Sequence, residues 1–175
     1  SPKNARAFPL RNTGIRIPTL AEVFNEFPDA RINLEIKDSG PDTIQSLCRL
    51  IRKHHMAGKV LVASFDNRAL KEFRSICPQV ATSAGASEAM LFYGLQKVYL
   101  EAAYAPSAQA LQVPETFRNL RVVNRRFIQA AHARNMRIHV WSVNDVKVMQ
   151  RLLELGVDGI MTDYPQRLME VLKKH

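Results

Sequence analysis

Short β-branched runs alternate along this chain with longer amphipathic stretches. Thr19-Leu20-Ala21-Glu22 reads as a capping box, in which the Thr hydroxyl and Glu carboxylate satisfy the first free amides of a helix that runs to about Phe27 and stops at Pro28. A strand is expected over 31–37. Pro41 then suits a first helical turn, and Ile44, Leu47, Leu50 and Ile51 recur at helical spacing until Gly58. Further strands are expected over 60–64, 80–84, 108–113, 137–141 and 157–162. Between and after them fall a helix over 67–76 capped by Asp66 and closed by Pro78, one over 87–103, one over 124–135, one capped by Asn144 and ended by Gly156, and one over 165–174.

Six strands that each lead into a helix point to a parallel sheet, because parallel neighbours need a crossover and the crossover is usually helical. The repeat of roughly 25–30 residues is that of a βαβ unit. An open doubly wound sheet and a closed β/α barrel both fit. No Gly-x-Gly-x-x-Gly or Walker-type loop follows any strand, which weakens the nucleotide-binding form of the open sheet and favours the barrel.

The period of two along a strand sorts its side chains by face. Ile32, Leu34 and Ile36 share one face, and Asn33, Glu35 and Lys37 share the other. In a barrel the apolar face meets the outer helices, so the three polar residues are expected inside, with Glu35 and Lys37 at the C-terminal end where barrel active sites lie. A half-solvated antiparallel strand is the bland alternative, disfavoured by the helices on either side. The same test sends His139 and Trp141 inward, Trp141 nearer the active end, where it is a pocket wall or a core plug. It makes Gln112 an inward polar residue with a candidate ligand contact.

Composition narrows the reading. With 175 residues, 46% of them apolar, the chain supports a real core and is one domain rather than a disordered tail. The longest apolar stretch, 89–100, holds Gln96 and Lys97 and falls far short of the roughly 20 residues of a membrane span. Cys48 and Cys77 make no Cys-x-x-Cys site and are expected to be reduced packing residues. The 25 Lys and Arg against 16 Asp and Glu leave a net charge of +9, which suggests an anionic partner. The modest concentration of Arg118, Arg121, Arg125, Arg126 and Arg134 reads as a solvated helix face. No zinc-finger spacing or RNP-like motif accompanies it, so nucleic acid is not expected. None of the five histidines has metal-ligand spacing. The start, Ser1-Pro2-Lys3, carries no initiator Met and no apolar leader, so targeting is unreadable, and a soluble, cytoplasmic protein is the expectation.

Five segments together resemble, in order and spacing, the glycerophosphodiester phosphodiesterase family. They are Ile17-Pro18-Thr19-Leu20-Ala21-Glu22-Val23, Asn33-Leu34-Glu35-Ile36-Lys37, Leu111-Gln112-Val113-Pro114, His139-Val140-Trp141-Ser142-Val143-Asn144 and Gly156-Val157-Asp158-Gly159-Ile160-Met161-Thr162-Asp163-Tyr164-Pro165. The resemblance implies a TIM-type (β/α)8 barrel that hydrolyses glycerophosphodiesters to glycerol 3-phosphate and an alcohol with a divalent metal, Mg²⁺ or Ca²⁺. It makes Glu35 a metal ligand, places Lys37 near the phosphate and sets Trp141 in the wall of the substrate pocket. A hard cation wants carboxylate oxygen, and metal plus ammonium can stabilise charge on phosphate oxygens.

The chain departs from the family at its start. The family's His-Arg-Gly, Glu-x-Asp and His-Asp motifs, which carry the general acid, the general base and the remaining metal ligands, do not occur here. A whole barrel needs about 250 residues. Residues 1–175 are therefore expected to form one partial domain supplying strands three to eight, with no catalytic acid or base of its own. Two alternatives stand beside that reading. One is a lysophospholipase D of the same superfamily, for which the helix bearing Met90, Leu91, Phe92, Tyr93, Leu95, Val98 and Tyr99 offers a membrane-facing patch, although packing in the barrel's outer layer is the weightier account of those residues. The other is a non-catalytic phosphate-binding or scaffold domain.

Overall fold

The capping box forms: Glu22 N donates to Thr19 Oγ1 at 3.3 Å and Thr19 N donates to Glu22 Oε2 at 2.7 Å, opening α1 (Leu20–Glu26). A computed structural model of the chain describes residues 13–175. After α1 come β1 (Ile32–Glu35), α2 (Pro41–Lys53), β2 (Val60–Ala63), α3 (Asn67–Ile76), β3 (Ala81–Thr82) and α4 (Ala86–Lys97). The second half holds β4 (Ala110–Pro114), β5 (Thr116–Phe117), β6 (Leu120–Arg121), α5 (Arg125–His132), β7 (Arg137–Trp141), α6 (Val146–Leu155), β8 (Gly159–Ile160) and α7 (Pro165–Leu172).

Strands β1, β2 and β3 pair in parallel, as do β4, β7 and β8. A single parallel bridge, Ser83 to Ala110, joins the two sets. Around it Ala84 N donates to Ala110 O at 2.7 Å and Gln109 N donates to Thr82 O at 2.9 Å. The six strands thus run in chain order as one arc of a barrel, with helices on its convex side. Each set of three has its own core. Phe24, Ile44, Ile51 and Phe73 are buried in the first, and Phe92, Leu111, Phe127, Ile138 and Met149 in the second.

What braces the weak seam between the sets is Arg74 of α3. Its guanidinium donates to Thr82 Oγ1 at 2.8 Å and Ser83 O at 3.0 Å on the β3 side, to both carboxylate oxygens of Glu88 at 2.7 and 3.0 Å, and to Ser107 Oγ at 2.9 Å before β4. Glu88 in turn accepts from Gly85 N at 2.8 Å, at the start of α4. Burial pushes the Glu88 carboxyl up, but these partners outweigh it and hold the pKa at about 2 against the ordinary 4.5.

Several expectations change. Cys48 and Cys77 are not free thiols: they form a disulfide with Cα atoms 5.8 Å apart, because α2 and the end of α3 pack side by side. The helix expected over 87–103 ends at Lys97, and a 3-10 turn occupies Glu101–Ala103. Asn144 does not cap α6; Asp145 does, through Val148 N at 3.0 Å. Gly156 closes that helix as expected, in the left-handed region at φ 92°. The Arg-rich segment is not one helix face, because Arg118 and Arg121 sit on an antiparallel β5–β6 hairpin that the strand periodicity did not indicate. On the helix expected to face a membrane or the outer layer, Phe92 is fully buried while Met90 and Leu91 stay exposed.

Two stability predictions follow from these contacts. Replacing Glu88→Gln is expected to cost about 1–2 kcal/mol at neutral pH, less than the full shift implies because water reaching the partly exposed carboxylate screens the pair; that stability is present above pH 4.5 and lost as pH falls toward about 2. Urea titrations of the parent and variant from pH 7 to pH 2 check this, and the gap should close at the acid end. The disulfide closes a loop with a sequence separation of 29, so its removal in Cys48→Ala/Cys77→Ala should lower stability by about 3 kcal/mol. Thiol titration of the native parent should find no free sulfhydryl.

Candidate functional site

The C-terminal ends of the strands surround an open cleft of about 290 Å³. Asn33 and Glu35 face it from β1, Gln112 from β4 and Trp141 from the end of β7. Ile32 and Leu34 pack the other way, into the first core, as the period of two requires. The cleft floor is a polar line across the arc. Gln112 Nε2 donates to Asn33 Oδ1 at 2.8 Å, joining β4 to β1, and stands 3.4 Å from His139 Nδ1 on β7.

His139 lies one layer below the cleft mouth. Burial holds its pKa below the ordinary imidazole range, so the ring is neutral at pH 7 and its Nδ1 can accept from the Gln112 amide. Next to it, on β8, only glycine fits: a Cβ on Gly159 would stand 2.9 Å from the His139 ring. His139 is a packed interior residue rather than a group presented to the cleft.

Glu35 and Lys37 meet at the end of β1, Lys37 Nζ lying 2.7 Å from Glu35 Oε1. The strand stops at Glu35, so Lys37 sits past the pleat and does not share its inward face. Lys37 borders an outer groove with Leu20, Leu34 and Leu47 and reaches back to the carboxylate at the cleft rim. Glu35 is the one carboxylate lining the cleft among the described residues.

Trp141 packs edge-on against Phe65, the ring centroids 6.4 Å apart and the planes at 81°. Phe65 is 67% exposed and lies two residues past the end of β2. Its place is set by Ser64, whose buried hydroxyl donates to Ile36 O at 3.0 Å and accepts from Asp66 N at 3.1 Å, locking the ends of β1 and β2 together. With Ala86, Ala89 and Met161 these rings give the cleft its apolar lining. Sequence reasoning did not single out Phe65 or Ser64. The usable signal was position, since Ser64-Phe65-Asp66 links a strand to a helix cap.

Behind Trp141, Asn144 ties the loops after β7 and β8 together. Its Nδ2 donates to Asp163 Oδ2 at 2.8 Å, and its Oδ1 accepts from Thr162 Oγ1 at 3.1 Å and Asp163 N at 3.0 Å. Those bonds use the side chain up and explain why the cap of α6 falls to Asp145.

A divalent cation of the Mg²⁺ or Ca²⁺ type gathers about six to eight oxygen ligands. Among the described residues no three His, Cys, Asp or Glu side chains lie together as a metal-holding group. The cleft offers one carboxylate, so these residues do not amount to a closed metal site. No described helix is long and apolar enough to cross a membrane.

Comparison with known proteins agrees with this geometry. A glycerophosphoryl diester phosphodiesterase domain of Mycobacterium tuberculosis superposes with a TM-score of 0.75 at 13% identity, covering 99% of this chain and 69% of that one. A phosphodiesterase of Oleispira antarctica, solved in complex with the product sn-glycerol-3-phosphate, superposes with a TM-score of 0.67 at 21% identity, covering 89% of this chain and 61% of that one. These establish the TIM-barrel type of fold, of which the six parallel strands are a part. The probable glycerophosphodiester phosphodiesterase 2 of Mycobacterium tuberculosis is 30% identical over 164 residues, covering 91% of this chain and 61% of its own length. The chain thus spans about three fifths of that relative. The family model of the glycerophosphoryl diester phosphodiesterases matches residues 2–167, a stretch that takes in every parallel strand of the arc, and the chain belongs to that family.

Proposed function

We propose that this chain forms the substrate-holding side of a barrel that hydrolyses glycerophosphodiesters to glycerol 3-phosphate and an alcohol. The observation that carries the reading is Glu35 at the C-terminal end of β1, facing a cleft walled by Trp141, with the Lys37 ammonium held against its carboxylate from the outer groove. Lys37 supplies a point charge for phosphate oxygens, and Glu35 holds its ammonium at the rim. Glu35 also contributes one hard oxygen ligand to a divalent cation, Mg²⁺ or Ca²⁺. Gln112, anchored by its bond to Asn33, contacts the ligand from the floor, and the Trp141 face covers the carbon skeleton. The product held by the Oleispira relative, sn-glycerol-3-phosphate, has the size and charge this arrangement suits.

A second reading is a lysophospholipase D. The apolar wall of Phe65, Ala86, Ala89 and Met161 is the feature that favours it, since an acyl chain needs such a surface. Lysophosphatidylcholine displacing glycerol 3-phosphate more strongly than glycerophosphocholine does would select it.

Two outcomes are expected. In isothermal titration with sn-glycerol-3-phosphate, Lys37→Met should weaken binding about tenfold, the worth of one charge-assisted contact. Unchanged affinity removes Lys37 from the site. The 175-residue chain itself should release no glycerol 3-phosphate from glycerophosphocholine with Mg²⁺ or Ca²⁺, because no histidine is among the residues described as lining the cleft and a single carboxylate does not close a metal site. Metal-dependent release in a coupled assay would contradict this.

A further inference from the structure

Between β4 and α5 the chain spends residues on a hairpin that the barrel does not need. Thr116 pairs with Arg121 and Phe117 with Leu120, across a two-residue tip of Arg118 and Asn119. The base is firm: Val122 N and Val123 N donate to Glu115 O at 2.9 and 3.2 Å, both valines are buried, and Glu115 pairs with Arg151 of α6. The tip is bare. Phe117 is 59% and Leu120 57% exposed, directly opposite one another. Arg118 lies over the Phe117 ring at 5.6 Å, and among the described residues no carboxylate pairs with Arg118 or Arg121. The hairpin begins two residues after Pro114, whose register partner is Trp141, and its base borders a pocket lined by Trp141 and Ser142, two residues that also line the cleft.

We propose that this hairpin tip is a docking point for an anionic lipid surface, with Phe117 and Leu120 entering the headgroup region and Arg118 and Arg121 meeting lipid phosphates. An apolar pair flanked by unpaired cations on a rigid base is the composition of an interfacial anchor. The net charge of +9 draws the chain toward such a surface from a distance. A nucleic acid would reward the arginines and could stack on Phe117, but gains nothing from Leu120. A folded protein partner would need roughly 800 Å² of complementary surface on this side, far more than the single apolar pair of Phe117 and Leu120 provides. The consequence is positional: a lipid surface held here lies beside the cleft. The inference does not depend on which diester the cleft takes.

Flotation of the 175-residue chain with phosphatidylcholine vesicles, with and without phosphatidylserine, tests it. The parent should partition onto the phosphatidylserine vesicles, and less so as salt rises. Arg118→Gln/Arg121→Gln should reduce that partition roughly 30-fold, the effect of two cations near an anionic surface. Phe117→Ser/Leu120→Ser should also release the chain, while circular dichroism and the Trp141 emission stay unchanged in both variants. The proposal is overturned if the parent binds neither vesicle, if either double variant floats as well as the parent, or if the arginines are needed only for retention on heparin.

Discussion

The arc of strands depends on one guanidinium. Two three-stranded sheets, each with its own core, meet through a single bridge at Ser83 and Ala110. Two or three backbone hydrogen bonds would leave such a seam free to splay, since each is worth only about 1 kcal/mol net. Arg74 and Glu88 change that because their bidentate pair is about three quarters buried and touches both sides at once, through Thr82, Ser83, Gly85 and Ser107. Arginine is the side chain that can do this: its planar fork offers five donors in fixed directions, and here the donors find four residues. The cleft has residues from both sheets, so its shape is no firmer than this joint.

Across the interior a second tie sets how far the arc curls. Asn33 and Gln112 bond directly from opposite sheets, and Gln112 leans on a neutral His139. The layer works because it is polar enough to be satisfied and small enough to close, and Gly159 makes the space His139 needs. An interior of this kind lines the cleft with amides rather than charges and leaves the charged groups at the rim, where Glu35 and Lys37 remain in contact with water. The aromatic side of the cleft is built the same way, with Ser64 and Asn144 as the fasteners that put Phe65 and Trp141 opposite each other.

Local features were legible in the chain and long-range ones were not. The Thr19–Glu22 box, the Asp66 cap, the Gly156 stop and the in-out alternation of β1 all rest on residues within a turn or two of one another. The inward placement of Gln112 and Trp141 followed from the same period of two. Lys37 illustrates the limit of that rule, since the pleat ends at Glu35 and the residue two further on no longer inherits its face. Cys48 and Cys77 were misread because nothing in either sequence neighbourhood reports that α2 and α3 lie side by side. The hairpin escaped because its tip has no glycine. Arg118 takes the left-handed conformation at φ 54° instead, a choice that local propensity disfavours.

The Asn33–Gln112 bond spans 79 positions of chain, whereas each sheet is zipped from neighbours a single crossover apart. Chain entropy must be surrendered before so distant a contact returns anything. Closing either sheet around its own core therefore costs less chain entropy than closing the cross-arc bond. A chain with both sheets formed but this bond unmade would keep nearly all its secondary structure and lose the tie that joins the two sides of the cleft floor.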